Sequence, residues 1–352
     1  MTTEISSPLY GTRPPQIHTV EFRGSGTEYF RIWIINTLLT IVTLGIYSPW
    51  AKVRKMKYFY RNTYLAGDSF DYHADPIKIL IGRVIILVLF LGLNISQAVS
   101  PMLWGIFLIL LLIAFPWVIV RSAIFKYRNS SYRNIRFGFN KNYADSYFSY
   151  IISVIVTLFT LYLAFPYALY RHYRFILNNI RYGKAELHYN ARAGAFFKLF
   201  YTSILLGFVI VFIPAFIVVY LTQEATNSLF AVSGIFIAVG MIYLGMSLVY
   251  GFQKAMIVNE ISNNSSIGNI KLKAHLGTLE YGFIMMTNLL LVVFTLGFGT
   301  PWAQVRALKY RLENTSVEAT EEDFNQFLAS QENPEGYAAD AATDFWDIDF
   351  GL

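Results

Sequence analysis

The chain has no cysteine among its 352 residues. That excludes disulfides, thiolate metal sites, iron–sulfur clusters and cysteine nucleophiles together. Charge is scarce as well: 14% of residues are Asp, Glu, Lys or Arg, where a soluble domain carries about 25%. Of the five histidines, none belongs to HExxH and no two share metal-ligand spacing on one helix, so no metal is indicated. There is no GxSxG and no P-loop. Gly24-Ser25-Gly26 matches half a dinucleotide fingerprint, but an apolar run follows it where a βαβ unit would be needed. No acid lies deep in an apolar run, which removes the usual carboxylate of an ion-coupled carrier. Neither a catalytic constellation nor a cofactor is indicated; Asp71 and His73, on one alternating segment, are the nearest approach to a catalytic pair.

What the chain has is apolar surface: 55% of residues are hydrophobic and 17% aromatic. A spanning helix needs about 20 mainly apolar residues. Seven stretches qualify: Phe30–Trp50, Ile79–Gln97, Met102–Val120, Tyr147–Tyr170, Tyr201–Leu221, Leu229–Tyr250 and Tyr281–Trp302. The second and third form a hairpin, as do the fifth and sixth, and the other three stand alone. Residues 1–29 are polar and no small-residue cleavage site follows the first run, so it reads as a retained anchor.

A hexapeptide recurs with its surroundings. Pro49-Trp50-Ala51-Lys52-Val53-Arg54 returns at Pro116–Arg121 and Pro301–Arg306, with a worn copy at Pro166–Arg171. A short alternating segment precedes each lone run, at Val20–Gly24, Ile135–Gly138 and Ile270–Lys273. Thr43-Leu44-Gly45 and Asn62-Thr63 recur at Thr295-Leu296-Gly297 and Asn314-Thr315, a constant offset of 252. These repeats divide the chain into a polar segment (1–19), repeat A (20–134), repeat B (135–269), half repeat C (270–315) and a tail (316–352). The expected fold is an all-α polytopic membrane protein of seven transmembrane helices, in two inverted three-helix repeats plus a lone helix, with short interfacial β-strands.

Charge by side bears on that topology. Seven crossings put fifteen Lys and Arg on one side and twelve on the other, with Arg83 inside the second run. That weak bias favours an outer N-terminus and a cytoplasmic C-terminus. The near balance also fits lone runs that dip in and return, with every basic loop on one side; span length favours seven crossings. The tail contains ten acids and no base, so the body before it, with 28 bases and the remaining 12 acids, is formally +16. The tail is expected to be largely disordered, and its alternating end, Asp344–Phe350, suits docking on the chain's own basic loops or on a soluble partner. The basic excess reads as loop composition rather than nucleic-acid binding.

After each Pro-Trp a basic, aromatic stretch begins. Trp50, Trp117, Tyr167 and Trp302 suit the lipid–water boundary, and the cations after them suit anionic headgroups. Arg54, Lys57, Arg121, Arg171, Arg306 and Lys309 are the candidate contacts for a headgroup or other anion.

Along Thr43–Arg54, Asn62-Thr63, Gly67 and Phe70–His73 the chain resembles the YjgN family of bacterial inner-membrane proteins, a family of unknown function, over about residues 20–352. The resemblance implies a multi-pass inner-membrane protein and supplies no catalytic or binding residues. The expected role is therefore non-enzymatic, binding or moving a small molecule or lipid between the repeats. The rival is an envelope scaffold that binds a partner through basic loops and the acidic tail.

Overall fold

The computed structural model describes residues 16–223 and 228–331. Ten antiparallel strands close into one barrel: β1 (Gln16–Phe22), β2 (Thr63–Leu65), β3 (Asp68–Tyr72), β4 (Ser130–Tyr132), β5 (Ile135–Phe139), β6 (Ile180–Tyr182), β7 (Ala185–Tyr189), β8 (Ser265–Ile267), β9 (Ile270–Ala274) and β10 (Thr315–Ala319). Each pairs with its sequence neighbours, and β1 pairs with β10 at one edge and β2 at the other, so the ring has no free edge.

Two kinds of connection alternate around this ring. Tight turns join β2 to β3, β4 to β5, β6 to β7 and β8 to β9. Ala66 and Gly67 in the first, and Arg133 and Asn134 in the second, have positive φ, as two-residue hairpins require. The other connections are pairs of helices: α1 (Gly26–Val42) and α2 (Ser48–Arg61), α3 (Pro76–Val99) and α4 (Pro101–Arg128), α5 (Tyr143–Phe159) and α6 (Phe165–Asn178), α7 (Ala193–Thr222) and α8 (Ser228–Asn263), α9 (Thr278–Phe294) and α10 (Thr300–Glu313). Because the strands alternate in direction, the tight turns share one mouth of the barrel. Every helical pair leaves from the other mouth and returns to it.

Each return is fastened in the same way. Asn62, Asn129, Asn179, Asn264 and Asn314 end the five second helices, and each side-chain amide donates to the carbonyl four residues earlier at 2.7–2.8 Å. The backbone carbonyl of each accepts from the N–H leaving the neighbouring strand, those of Arg23, His73, Asn140, Asn190 and His275, at 2.8–3.0 Å. Five such clasps ring the mouth and define its rim.

Helix length separates the pairs into two classes. α3, α4, α7 and α8 are long and apolar enough to cross a bilayer. At 24 residues the shortest of them measures about 36 Å, against a hydrocarbon core of about 30 Å. In the other pairs α1 and α9 have 17 residues and α2 and α10 have 14, roughly 25 and 21 Å. They turn back at residues 43–47, 160–164 and 295–299, on tips that expose Leu44, Leu161 and Leu296. These shorter pairs are wedges that reverse before a crossing length is reached.

Seven crossings in inverted repeats are thereby overturned. The runs Phe30–Trp50, Tyr147–Tyr170 and Tyr281–Trp302 each contain a chain reversal. Leu44 and Gly45 have φ of 49° and 92°, Leu161 and Tyr162 of 49° and 67°, and Leu296 and Gly297 of 51° and 93°. Among the described residues four helices are of crossing length, the strands form a closed barrel, and Gly24, Asn140 and Asn190 all stand at the same rim. The tail also differs in its first part: β10 and α11 (Glu321–Gln331) are ordered. The Asp344–Phe350 docking motif lies outside the described residues.

Inside the barrel, Val20, Leu65, Tyr132, Tyr182, Ile270 and Val317 form one buried cluster. Tyr132 donates its hydroxyl to Leu65 O at 2.7 Å and Tyr182 to Tyr132 O at 3.1 Å, which satisfies both phenols in an otherwise apolar interior. At the turn-side mouth, Phe324 of α11 stacks on His18 at 4.8 Å and Phe327 on Tyr182 at 5.9 Å. The barrel is a filled plug.

Candidate functional site: a cation-lined cavity above the barrel

The second helix of each pair packs against the first helix of the next, which closes the helices into a ring above the rim. Within this ring lies a cavity of about 1100 Å³, walled by α2, α4, α8, α9 and α10 and floored by Val20 and Phe70 of the barrel. Among the described residues its charged wall residues are Lys55, Lys126 and Arg311, and no carboxylate lines it. Lys126 and Arg311 occupy the same register, three residues before the clasps Asn129 and Asn314. Lys254 of α8 lies near enough to feel the charges of both. Burial pushes the Lys55 ammonium below the ordinary lysine range.

Higher up, the wall changes character. Met285, Leu289 and Val292 of α9 and Leu308 of α10 make it apolar. Asn288 is buried there, its Nδ2 donating to Ala303 O at 3.0 Å while its Oδ1 has no protein partner. The wall at α8 and α9 depends on backbone contact. A Cβ on Gly251 would stand 2.7 Å from Tyr281 O, and one on Gly282 would stand 2.9 Å from Leu248 O. Gly251 lies thirteen residues before Asn264, the place that Pro49, Pro116, Pro166 and Pro301 hold before their own clasps. A second recess of about 360 Å³, with Asn36, Thr40, Ser48 and Lys52 in its wall, meets Lys55 from between α1 and α2.

The cations singled out from the sequence stand elsewhere, and the fold does not bring them together. Arg171 pairs with Asp145 at 3.0 Å, donates to Ser149 Oγ at 2.9 Å and lies 4.8 Å from the Phe148 ring centroid. Arg306 donates to Thr287 Oγ1 at 2.9 Å, Arg121 lies 5.5 Å from the Trp117 ring, and Arg54 lies 5.9 Å from that of Tyr47. Each of these contacts stays within its own helical pair. Lys309 approaches Glu313 at 3.7 Å, and Lys57 is half-buried on α2 outside the cavity wall. Trp50 stacks on Tyr47 at 6.0 Å, while Trp302 packs tilted against Phe30 at 5.0 Å and Tyr167 against Tyr170 at 6.2 Å. Arg83 hydrogen-bonds Ser48 Oγ, tying α3 to the start of α2.

Asp71 and His73 do not form a relay. Arg61 binds both oxygens of Asp71 at 2.9 and 3.2 Å, and this fork holds the Asp71 carboxyl below the usual carboxylate range. The His73 Nε2 meets Ser131 Oγ at 2.8 Å, a contact between the end of β3 and β4.

Lys55, Lys126 and Arg311 were not distinguished by sequence reasoning. Arg54 and Lys57, singled out from the sequence, lie on α2 outside the wall to which Lys55 belongs. The shared register of Lys126 and Arg311 ahead of Asn-Ser and Asn-Thr was the available signal.

Crossing-length helices over a filled barrel, enclosing a cavity between them, define a multi-pass integral membrane protein. The chain belongs to the family described as bacterial protein of unknown function (DUF898), which it matches over residues 17–345. It is 25% identical over 354 residues to the inner membrane protein YjgN of Salmonella typhimurium, covering 86% of this chain and 88% of that protein. It is 29% identical to the inner membrane protein YjgN of Escherichia coli K12 over 124 residues, 35% of this chain and 31% of that one. These relatives support an inner-membrane location. No solved structure matches the chain significantly.

Proposed function

We propose that this protein is a non-enzymatic binder of a small molecule or lipid, taken from the membrane and held in the cavity above the barrel. The observation that carries the reading is the cavity itself, about 1100 Å³, with Lys55, Lys126 and Arg311 in its wall together with the apolar Met285, Leu289 and Val292. Pockets of this size with an apolar wall and a few convergent polar groups are the usual form of a ligand site. The filled barrel favours holding or lateral exchange over passage along the axis.

The barrel is assigned to the cytoplasm. Among the described residues every Lys and Arg lies on the barrel side of the crossing helices, and none stands at their far ends. Such one-sidedness is the pattern of a cytoplasmic face. The C-terminus then lies in the cytoplasm, and Trp50, Trp117 and Trp302 anchor the wedges at its lipid boundary. Arg54, Arg121 and Arg306 contribute to attraction for anionic headgroups around the rim.

A photo-crosslinking residue in place of Leu289, in the full-length protein reconstituted in vesicles, tests the site. Crosslinks to lipid or to a co-purified small molecule are expected. Their absence, with normal crosslinking from the bilayer-facing position Val88, would contradict the reading.

A further inference from the structure

We infer that the recess between α1, α2 and α10 is a binding site for a neutral polyhydroxyl group, a sugar or polyol, carried on a lipid headgroup or free in solution. This site is distinct from the cavity above the barrel and does not depend on it.

A comparison of two wedges locates it. Asn36 of α1 and Asn288 of α9 hold equivalent places, as do Ala51 of α2 and Ala303 of α10, at the repeat offset of 252. In the later wedge the Asn288 Nδ2 donates to Ala303 O at 3.0 Å, which joins the two helices at that height. In the first wedge Asn36 and Ala51 stand instead on the wall of a recess of about 360 Å³. Asn36 is only 7% exposed, and its Oδ1 has no hydrogen-bond partner among the described residues. A buried acceptor left in that state is costly, and a donor brought by a ligand removes the cost.

The other wall groups define the donor that fits. Thr40 donates its hydroxyl proton to Asn36 O at 2.6 Å and Ser48 donates its own to Gly45 O, so what each offers the recess is an oxygen lone pair. Lys52, Lys55 and Gln304, in the same wall, carry N–H donors. A wall that both accepts and donates matches hydroxyl groups, which do both. An ammonium only donates and a carboxylate only accepts. Tyr29 and Trp33 also line the recess, and their rings supply flat surface for the C–H face of a sugar or inositol ring. Ile41, in the same lining, is exposed, so the recess opens on the flank of the wedge.

The test places a photo-crosslinking residue at Ile41 in the full-length protein, with Val88 as the bilayer-facing control. One arm uses phosphatidylcholine vesicles with equal small fractions of glucosyl diacylglycerol, diacylglycerol and phosphatidylethanolamine. The other adds millimolar radiolabelled glucose to phosphatidylcholine vesicles without those lipids. The inference predicts labelling at Ile41 enriched about tenfold over Val88, the ratio that one or two net hydrogen bonds supply. Enrichment of glucosyl diacylglycerol over diacylglycerol assigns the hydroxyls to a lipid headgroup. Enrichment of glucose alone assigns them to a soluble ligand. Asn36→Leu should abolish the enrichment and melt no lower than the parent, because it removes an unpaired buried acceptor. Asn94→Leu, on α3 away from the recess, should leave the enrichment intact. Enrichment in neither arm, enrichment of phosphatidylethanolamine instead, or enrichment that survives Asn36→Leu would overturn the inference. Crosslinking at Leu289 reads the cavity separately, so the two readings stand or fall independently.

Discussion

The five clasp asparagines show how single side chains set the repeat. Each must donate from Nδ2 to a carbonyl of its own helix while its backbone carbonyl accepts from the neighbouring strand. Aspartate retains the shape but is an acceptor only, so Asn179→Asp would place a carboxylate against Phe175 O. A cost of about 1–3 kcal/mol is expected from the lost donor at this buried position, read as a lowered midpoint in denaturation. Arg171 and Arg54 separate in the same way. Arg171 is nearly enclosed and engages Asp145, Ser149 and Phe148, so Arg171→Lys should destabilise by about 1 kcal/mol or more. Arg54 is exposed, and Arg54→Lys should be silent in the same assay. Lys55 behaves differently from both. Its folded pKa is lowered, so its charged form is disfavoured by folding at neutral pH and that penalty lifts as pH rises through the lowered value. Lys55→Met should therefore raise the melting temperature of the protein at neutral pH. A Lys55→Met protein that melts lower would contradict this account of Lys55.

At the scale of elements, the wedges depend on a reversal that apolarity conceals. Phe30–Trp50 has spanning length and spanning composition, and a hydropathy window has no means of seeing that Leu44 and Gly45 are left-handed. The only local sign is Thr-Leu-Gly before the Pro, present at Gly45 and Gly297 and absent at Tyr162. No atom lies within 4 Å of a Cβ built on Gly45, so the cost of Gly45→Ala is backbone strain alone, about 1–2 kcal/mol. Gly251→Ala should cost about 1–3 kcal/mol for a different reason, since its Cβ would drive α8 from α9 and distort the cavity wall. Thermal unfolding of the two variants with and without lipid separates the effects. Only Gly251→Ala should also lose ligand. The strands were half legible: Val20–Gly24, Phe70–His73, Ile135–Gly138, Glu186–Tyr189 and Ile270–Lys273 alternate visibly. Their partners β2, β4, β6 and β8 are three residues long and are held by ring closure, a non-local effect that alternation in so short a segment does not register.

For the whole molecule, one geometric rule governs topology. A closed antiparallel barrel whose helical pairs all leave one mouth must return each pair to that mouth, whether the pair crosses the bilayer or turns back within it. The repeated Pro-Trp segments were visible in the sequence, but their orientation was not. Recurrence every three apolar runs is compatible with inversion, and only barrel pairing removes that alternative. The cavity was illegible for a related reason: Lys55, Lys126 and Arg311 are scattered along the chain and meet only when α2, α4 and α10 close the ring. Because the chain has no cysteine, single cysteines can report sidedness without background. The most direct test places one each at Lys141, Asn190 and Val99 and labels with a membrane-impermeant maleimide in right-side-out and inside-out vesicles. The account predicts that Lys141→Cys and Asn190→Cys react from the same, cytoplasmic side and Val99→Cys from the opposite one. Labelling of Lys141→Cys and Asn190→Cys from opposite sides would contradict the single-faced barrel and everything built on it.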